Sequence, residues 1–188
     1  MQAILRRFSP CSDARFATRG NRKPVAFSLS GPSMTPEIVT GDLLDQSVDV
    51  IVNAWNRNII PWWLLVPQGV SGAIKRRGGV QPFIELARTG SLPLGHARLT
   101  GAGRLPFAGI IHVAGINMLW QTSENAIRAS VRNAMHLVAV HQFRSVAFPV
   151  IGGGTGGMKP DKALAIMCDE IDRVQTEARV VVVVYGGR

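Results

Sequence analysis

Residues 145–177 read SVAFPVIGGGTGGMKPDKALAIMCDEIDRVQTE, and this stretch decides the fold. Ser145–Ile151 is almost wholly apolar, as a strand buried on both faces would be. Five glycines then occupy six positions from Gly152 to Gly157. Pro160 follows, a residue suited to a first helical turn because its missing N–H costs nothing there. A helix is predicted from Pro160 or Asp161 to about Glu177. Strand, glycine turn and helix in succession is a building unit of an α/β sheet with parallel strands.

Working outward, the same grammar recurs. Downstream, Val180–Tyr185 (VVVVVY) predicts a last, central strand. Upstream, Ser123–Val140 predicts the clearest helix, with Ala126, Ile127, Val131, Ala134, Met135 and Val138 spaced at three and four behind a Ser123 cap. Ala97–Thr100 and Gly109–Ala114 read as strands on either side of a turn-rich segment. Phe83–Arg88 suits a short helix. Val70–Arg77 has helical spacing and stops at Gly78-Gly79. Val48–Asn53 reads as a buried strand and Glu37–Thr40 as a short extended run. The order β–α–β–β–α–β–α–β predicts a three-layer α/β/α sandwich with a mixed, largely parallel central sheet.

Composition bounds the rest. The 188 residues are 46% apolar and 18% charged, enough for one sizeable core. No apolar run is long enough to span a bilayer, and a cytoplasmic protein without membrane contact is expected, with a monomer favoured. Two cysteines, Cys11 and Cys168, make no disulfide framework, and the four histidines show no metal spacing. Neither a metal nor a cofactor is expected.

The net charge is +9, yet Arg6, Arg7, Arg15, Arg19, Arg22 and Lys23 against Asp13 place five of those charges in residues 1–33. The chain therefore divides into a basic N-terminal extension, 1–33, and a folded domain, 34–188. The extension can be a mobile arm, an added edge strand, an upstream addition before a natural start at Met34, or a transit-like leader. It also opens a nucleic-acid role. The Lys75–Arg77 run reads as a solvated helix face rather than a nucleic-acid patch.

Four segments carry candidate chemistry. The glycines of Ile151–Met158 permit positive φ, and their N–H groups with the next helix N-terminus suit a phosphate. Neither standard nucleotide motif fits: poly-glycine satisfies G-x-G-x-x-G trivially, no acid follows on the next strand, and Lys159 precedes proline rather than Ser or Thr. A second glycine segment, QGVSGAI at 68–74, opens another helix, so the pair suggests a clamped pyrophosphate. Asn53 and Asn56 leave a strand end, where amides can bond ribose hydroxyls or merely form a turn. Asp42 after the first strand can accept from an adenine amino group or cap a turn.

In order and spacing, G-D-L-L at 41–44, V-N-A-W-N at 52–56, G-V-S-G-A-I at 69–74, I-I-H-V-A-G at 110–115 and F-P-V-I-G-G-G-T-G-G at 148–157 resemble the motif series of macro domains, the ADP-ribose-binding, Appr-1''-p-processing family. The resemblance covers residues 34–185. It implies that Asp42, with the backbone of Leu43, meets adenine, and that Asn56 meets the distal ribose as the candidate catalytic residue. It further implies that Gly69, Val70, Ser71, Gly72 and Ile74, with Gly153, Gly154, Thr155, Gly156, Gly157 and Met158, grip the diphosphate and enclose that ribose. Tyr185 falls where a family aromatic packs on adenine, and His112 at a core or supporting position.

The chain also departs from the pattern. Many hydrolytic members carry Asp where this chain has Ser71, and some carry His where it has Lys75; a serine is no carboxylate base. Trp62 and Trp63 replace a glycine-rich approach, either plugging the core edge or forming an apolar lid. The implied partner is ADP-ribose or an ADP-ribosylated substrate. The implied activity is hydrolysis of ADP-ribosyl or O-acetyl-ADP-ribose linkages. A non-catalytic reader of ADP-ribose or its polymer and a nucleic-acid-binding module are the alternatives.

Overall fold

The computed structural model describes residues 35–56, 69–117, 119–154, 156–174 and 176–186. The expectations for the 1–33 extension, for Trp62 and Trp63 and for Thr155 lie outside these residues. The elements run β1 (Glu37–Thr40), a 3-10 turn (Leu43–Asp45), β2 (Val50–Trp55), α1 (Gly69–Gly78), α2 (Gln81–Arg88), β3 (Ala97–Thr100), β4 (Gly109–Ala114), α3 (Glu124–Val140), β5 (Ser145–Pro149), α4 (Pro160–Arg173) and β6 (Arg179–Val184).

The sheet order is β1-β6-β5-β2-β4-β3. Every neighbouring pair is parallel except β3–β4, so the sheet is mixed and largely parallel as expected. Alternation along the buried strands divides the core in two. Val50, Val52, Ile111, Val113, Val146, Phe148, Val180 and Val182 pack with α3 and α4 residues such as Ile127, Val131, Met135, Ile166 and Met167. The intervening Ile51, Trp55, Ile110, Ala147, Val181 and Val183 pack with Ile74 of α1 and with Phe83 and Leu86 of α2. Helices thus cover both faces, giving the α/β/α sandwich. No helix among the described residues is long and apolar enough to cross a membrane.

Two boundaries differ from the sequence reading in an instructive way. The second strand runs two residues later than Val48–Asn53, which puts Asn53 inside β2, fully buried, rather than at a turn. α4 ends at Arg173 instead of near Glu177, because Val174 turns extended (φ −87, ψ 114) and packs its side chain against the α3–α4 core. At the other end of the scale, the Ser123 cap is as expected: its hydroxyl accepts from the Ala126 amide at 3.2 Å.

α3 and α4 are clasped by charge. Glu170, only 2% exposed, takes Arg132 at 2.7 Å and Arg128 at 3.1 Å, while Arg128 also reaches Glu124 and Asp169. A carboxylate this buried is tolerable because two guanidinium groups meet it.

Candidate nucleotide-diphosphate site

Because β1, β2, β4, β5 and β6 are mutually parallel, their C-terminal ends share one edge of the sheet. Asp42, Asn56, Gly115, the segment 151–158 and Tyr185 all follow those ends directly. Open α/β sheets take their ligands at this edge. The topology therefore brings the sequence-predicted residues of four separate segments, with Gly115, to one sheet edge, with α1 rising from Gly69 beside them.

At the β1 end, Asp42 caps the 3-10 turn, its Oδ1 accepting from the Leu44 amide at 2.8 Å. The backbone carbonyl of Asp42 accepts from Gln46 Nε2 at 2.9 Å, and Leu43 is buried beneath. Arg77 of α1 closes the arrangement. Its Nη1 lies 3.5 Å from Asp42 Oδ2, its Nη2 lies 2.8 Å from Asp45 Oδ1, and Nη2 donates to the Leu44 carbonyl at 3.3 Å. Tyr185 follows β6, which pairs with β1, and its side chain is 79% exposed.

The Lys75–Arg77 run is thus not simply a solvated face. Arg77 is committed to the turn, and Lys75 Nζ lies 5.5 Å from the Trp55 ring centroid and 4.9 Å from that of Phe83. Burial lowers the Lys75 pKa from its ordinary value.

Under the start of α1 lies a buried hydrogen-bonded chain. Ser71 Oγ donates to Asn53 Oδ1 at 2.8 Å, and Asn53 Nδ2 meets His112 Nδ1 at 3.1 Å. His112 Nε2 meets Thr100 Oγ1 at 3.0 Å, and Thr100 Oγ1 donates to the Gly101 carbonyl at 3.0 Å. The hydroxyl of Thr100 has one proton and gives it to Gly101, so His112 must donate from Nε2 and accept at Nδ1. One neutral tautomer satisfies every link. Full burial pushes the His112 pKa down to about 3, which agrees with that state. Phe83 packs edge-on against the ring at 5.6 Å, and Trp55 lies 5.1 Å from Phe83.

The chain runs from α1 through β2 and β4 to β3. It holds Ser71 through its proton, which leaves only lone pairs on that hydroxyl for anything at the site. Asn56 is half-buried one residue beyond β2, next to Gly115, whose amide donates to the Trp55 carbonyl at 3.1 Å.

Gly152–Gly154 and Gly156–Gly157 form tight turns leading toward α4. Gly152 (φ +82) and Gly157 (φ +74) occupy the left-handed region that side-chain-bearing residues avoid. The sequence predicts amides turned inward together toward a phosphate, whereas several of them bond within the turn. Gly153 donates to Val150, Gly157 to Gly154 and Met158 to Gly152, at 3.2–3.3 Å. Thr122 buttresses the turn from the β4–α3 connection, its amide donating to the Gly156 carbonyl at 3.0 Å and its hydroxyl to the Gly115 carbonyl at 2.7 Å. The N-terminus of α4, with Pro160 in its first turn, adds the partial positive charge of a helix start.

Four supporting residues escaped the sequence reading: Arg77, Thr100, Thr122 and the buried role of Asn53. Their partners lie across turns and on other elements, so no local periodicity marks them. No group of three or more His, Cys, Asp or Glu among the described residues is arranged to hold a metal ion.

Comparison with known proteins agrees with this geometry. The model of the macro domain family matches residues 52–167. An O-acetyl-ADP-ribose deacetylase of Klebsiella pneumoniae is 34% identical over 142 residues, covering 71% of this chain and 77% of its own. A macro domain-containing protein of Streptomyces griseus is 40% identical over 136 residues, covering 69% and 74%. A mutant Oceanobacillus iheyensis macrodomain solved with ADPR superposes with a TM-score of 0.65 at 30% identity, over 80% of this chain and 84% of that one. With its sheet, its edge loops and these relatives in agreement, the chain belongs to the macro domain family.

Proposed function

We propose that this chain binds ADP-ribose along the C-terminal edge of its sheet and hydrolyses ADP-ribosyl or O-acetyl-ADP-ribose linkages there. The observation that carries the reading is the gathering of Asp42, Asn56, the start of α1 and the 152–157 turn at one sheet edge. Asp42 accepts from the adenine amino group and Leu43 assists through its backbone. The first turn of α1 (Gly69, Val70, Ser71, Gly72), with Ile74 anchoring the helix in the core behind it, and the segment Gly153–Met158 take the diphosphate, two helix starts supplying favourable potential for its charge. Tyr185 packs against the base. The relatives named as deacetylases support the hydrolytic part.

Asn56 is the residue assigned to the reacting end. It orients the distal ribose and an attacking water, and the glycine turns hold the diphosphate in register with it. In ester hydrolysis, the water oxygen bonds to the acetyl carbonyl carbon, the bond from that carbon to the ribose oxygen breaks, and the departing ribose oxygen takes up a proton that came from the water. Ser71 is not the base, since its proton is committed to Asn53 and it carries no carboxylate. A substrate phosphate oxygen takes the water's proton in this scheme.

Calorimetric titration with ADP-ribose, followed by incubation with O-acetyl-ADP-ribose and with a mono-ADP-ribosylated protein, tests both halves. Binding with release of ADP-ribose is expected, and Asn56→Ala should lower turnover more than affinity. Binding without release would leave a reader of ADP-ribose; no binding would overturn the reading.

A further inference from the structure

We propose that Arg77 is a specificity-determining positioning residue for the adenine end: it orients the Asp42 carboxylate as an acceptor that selects a 6-amino purine over a 6-oxo purine. The inference deepens the ADP-ribose reading above and rests on it.

A surface aspartate ordinarily rotates freely about its terminal bond, and the Asp42 side chain is 42% exposed. Here both of its oxygens are engaged. Leu44 holds Oδ1 through its amide at 2.8 Å, and Arg77 stands 3.5 Å from Oδ2. The guanidinium is in turn anchored by Asp45 at 2.8 Å and by the Leu44 carbonyl at 3.3 Å. Three acceptors from one short turn therefore converge on one guanidinium, whose ion pair draws Oδ2 while the Leu44 amide holds Oδ1, so the carboxylate is biased toward one orientation.

Each carboxylate oxygen accepts two hydrogen bonds, so a donor and Arg77 can be satisfied together. An amino group at purine position 6 supplies that donor. An oxo group there presents a lone pair to a carboxylate held toward that orientation. Arg77 thereby converts an exposed, mobile anion into an oriented acceptor. The same residue ties α1, whose first turn faces the diphosphate in the proposed function, to the turn that faces the base.

The decisive measurement is the ratio of affinities for ADP-ribose and inosine diphosphate ribose, taken on the full chain. Arg77→Ala should lower that ratio about fivefold, the scale of a partly exposed charge pair, mainly by weakening ADP-ribose. Arg77→Lys should recover part of it. In an Asp42→Asn background, Arg77→Ala should change the ratio no further, because the two act as a unit. Equal weakening of both nucleotides, or additive effects in the double variant, would make Arg77 a structural tie only and overturn the inference. If the unaltered chain bound neither nucleotide, the ADP-ribose reading itself would fall. Normal ADP-ribose affinity with an unchanged ratio in Arg77→Ala would sink the role of Arg77 alone.

Discussion

Ser71 Oγ lies 2.8 Å from Asn53 Oδ1 and gives it its proton, so the serine at the start of α1 is tied downward into the sheet. This bond explains why a simple exchange at position 71 should not recover a carboxylate base. Asn53 turns its amide nitrogen to His112, donating one proton to Nδ1, which leaves Oδ1 as the face it shows to residue 71. An aspartate there would set acceptor against acceptor. Ser71→Asp should therefore lower stability by about 1–3 kcal/mol and Ser71→Ala by about 1 kcal/mol, measured by urea unfolding. A Ser71→Asp protein as stable as the original would mean that Asn53 turns over and the chain of bonds is not fixed.

His112 should make stability depend on pH in a definite direction. Its pKa is about 3 in the folded chain, against about 6.5 for an ordinary histidine. Below about pH 6.5 the unfolded chain takes up a proton that the folded chain refuses. Stability is thus fully present above that pH and falls as pH drops toward 3, by about 1.4 kcal/mol per unit. Between about pH 7 and about pH 5, urea midpoints for His112→Gln should fall less steeply than those of the unaltered chain. Parallel curves would show that the imidazole is protonated in place.

Ser130 predicts a gain. It is fully buried on α3, and its hydroxyl has no hydrogen-bond partner among the described residues. Alanine removes that unmet group and is the better helix former, so Ser130→Ala should raise stability by about 1 kcal/mol. A loss in thermal unfolding would reveal a partner for the hydroxyl.

Much of the fold is written in local patterns, and the exceptions share a cause. β4 and β5 are almost wholly apolar runs, as strands covered on both faces are, and α3 shows its stripe and its cap. Asn53 misleads because an asparagine near a strand end commonly turns the chain; here His112 and Ser71, 59 and 18 residues away, make its burial tolerable. Arg77 misleads in the same way, since its acidic partners sit on a turn far upstream. At the site, glycines and Asp42 are visible as residue types. Which loop amides turn inward depends on contacts such as Thr122 to Gly156, which no spacing encodes.

The glycine turn offers a test that separates packing from ligand approach. A methyl group at Gly156 would meet the Gly152 backbone at 2.8 and 2.9 Å and Ile116 at 3.1 Å, so the turn itself must shift. At Gly154 nothing among the described residues beyond its chain neighbours lies within 4 Å of the added carbon. Gly156→Ala should therefore lower thermal stability, by about 1–3 kcal/mol for an overpacked backbone contact. Gly154→Ala should leave the melting temperature unchanged. If the space beside Gly154 belongs to the diphosphate, that same substitution should weaken ADP-ribose by about tenfold or more, the scale of one misplaced methyl group. Unaltered affinity in Gly154→Ala would move the diphosphate away from this part of the turn and leave its glycines to serve the backbone alone.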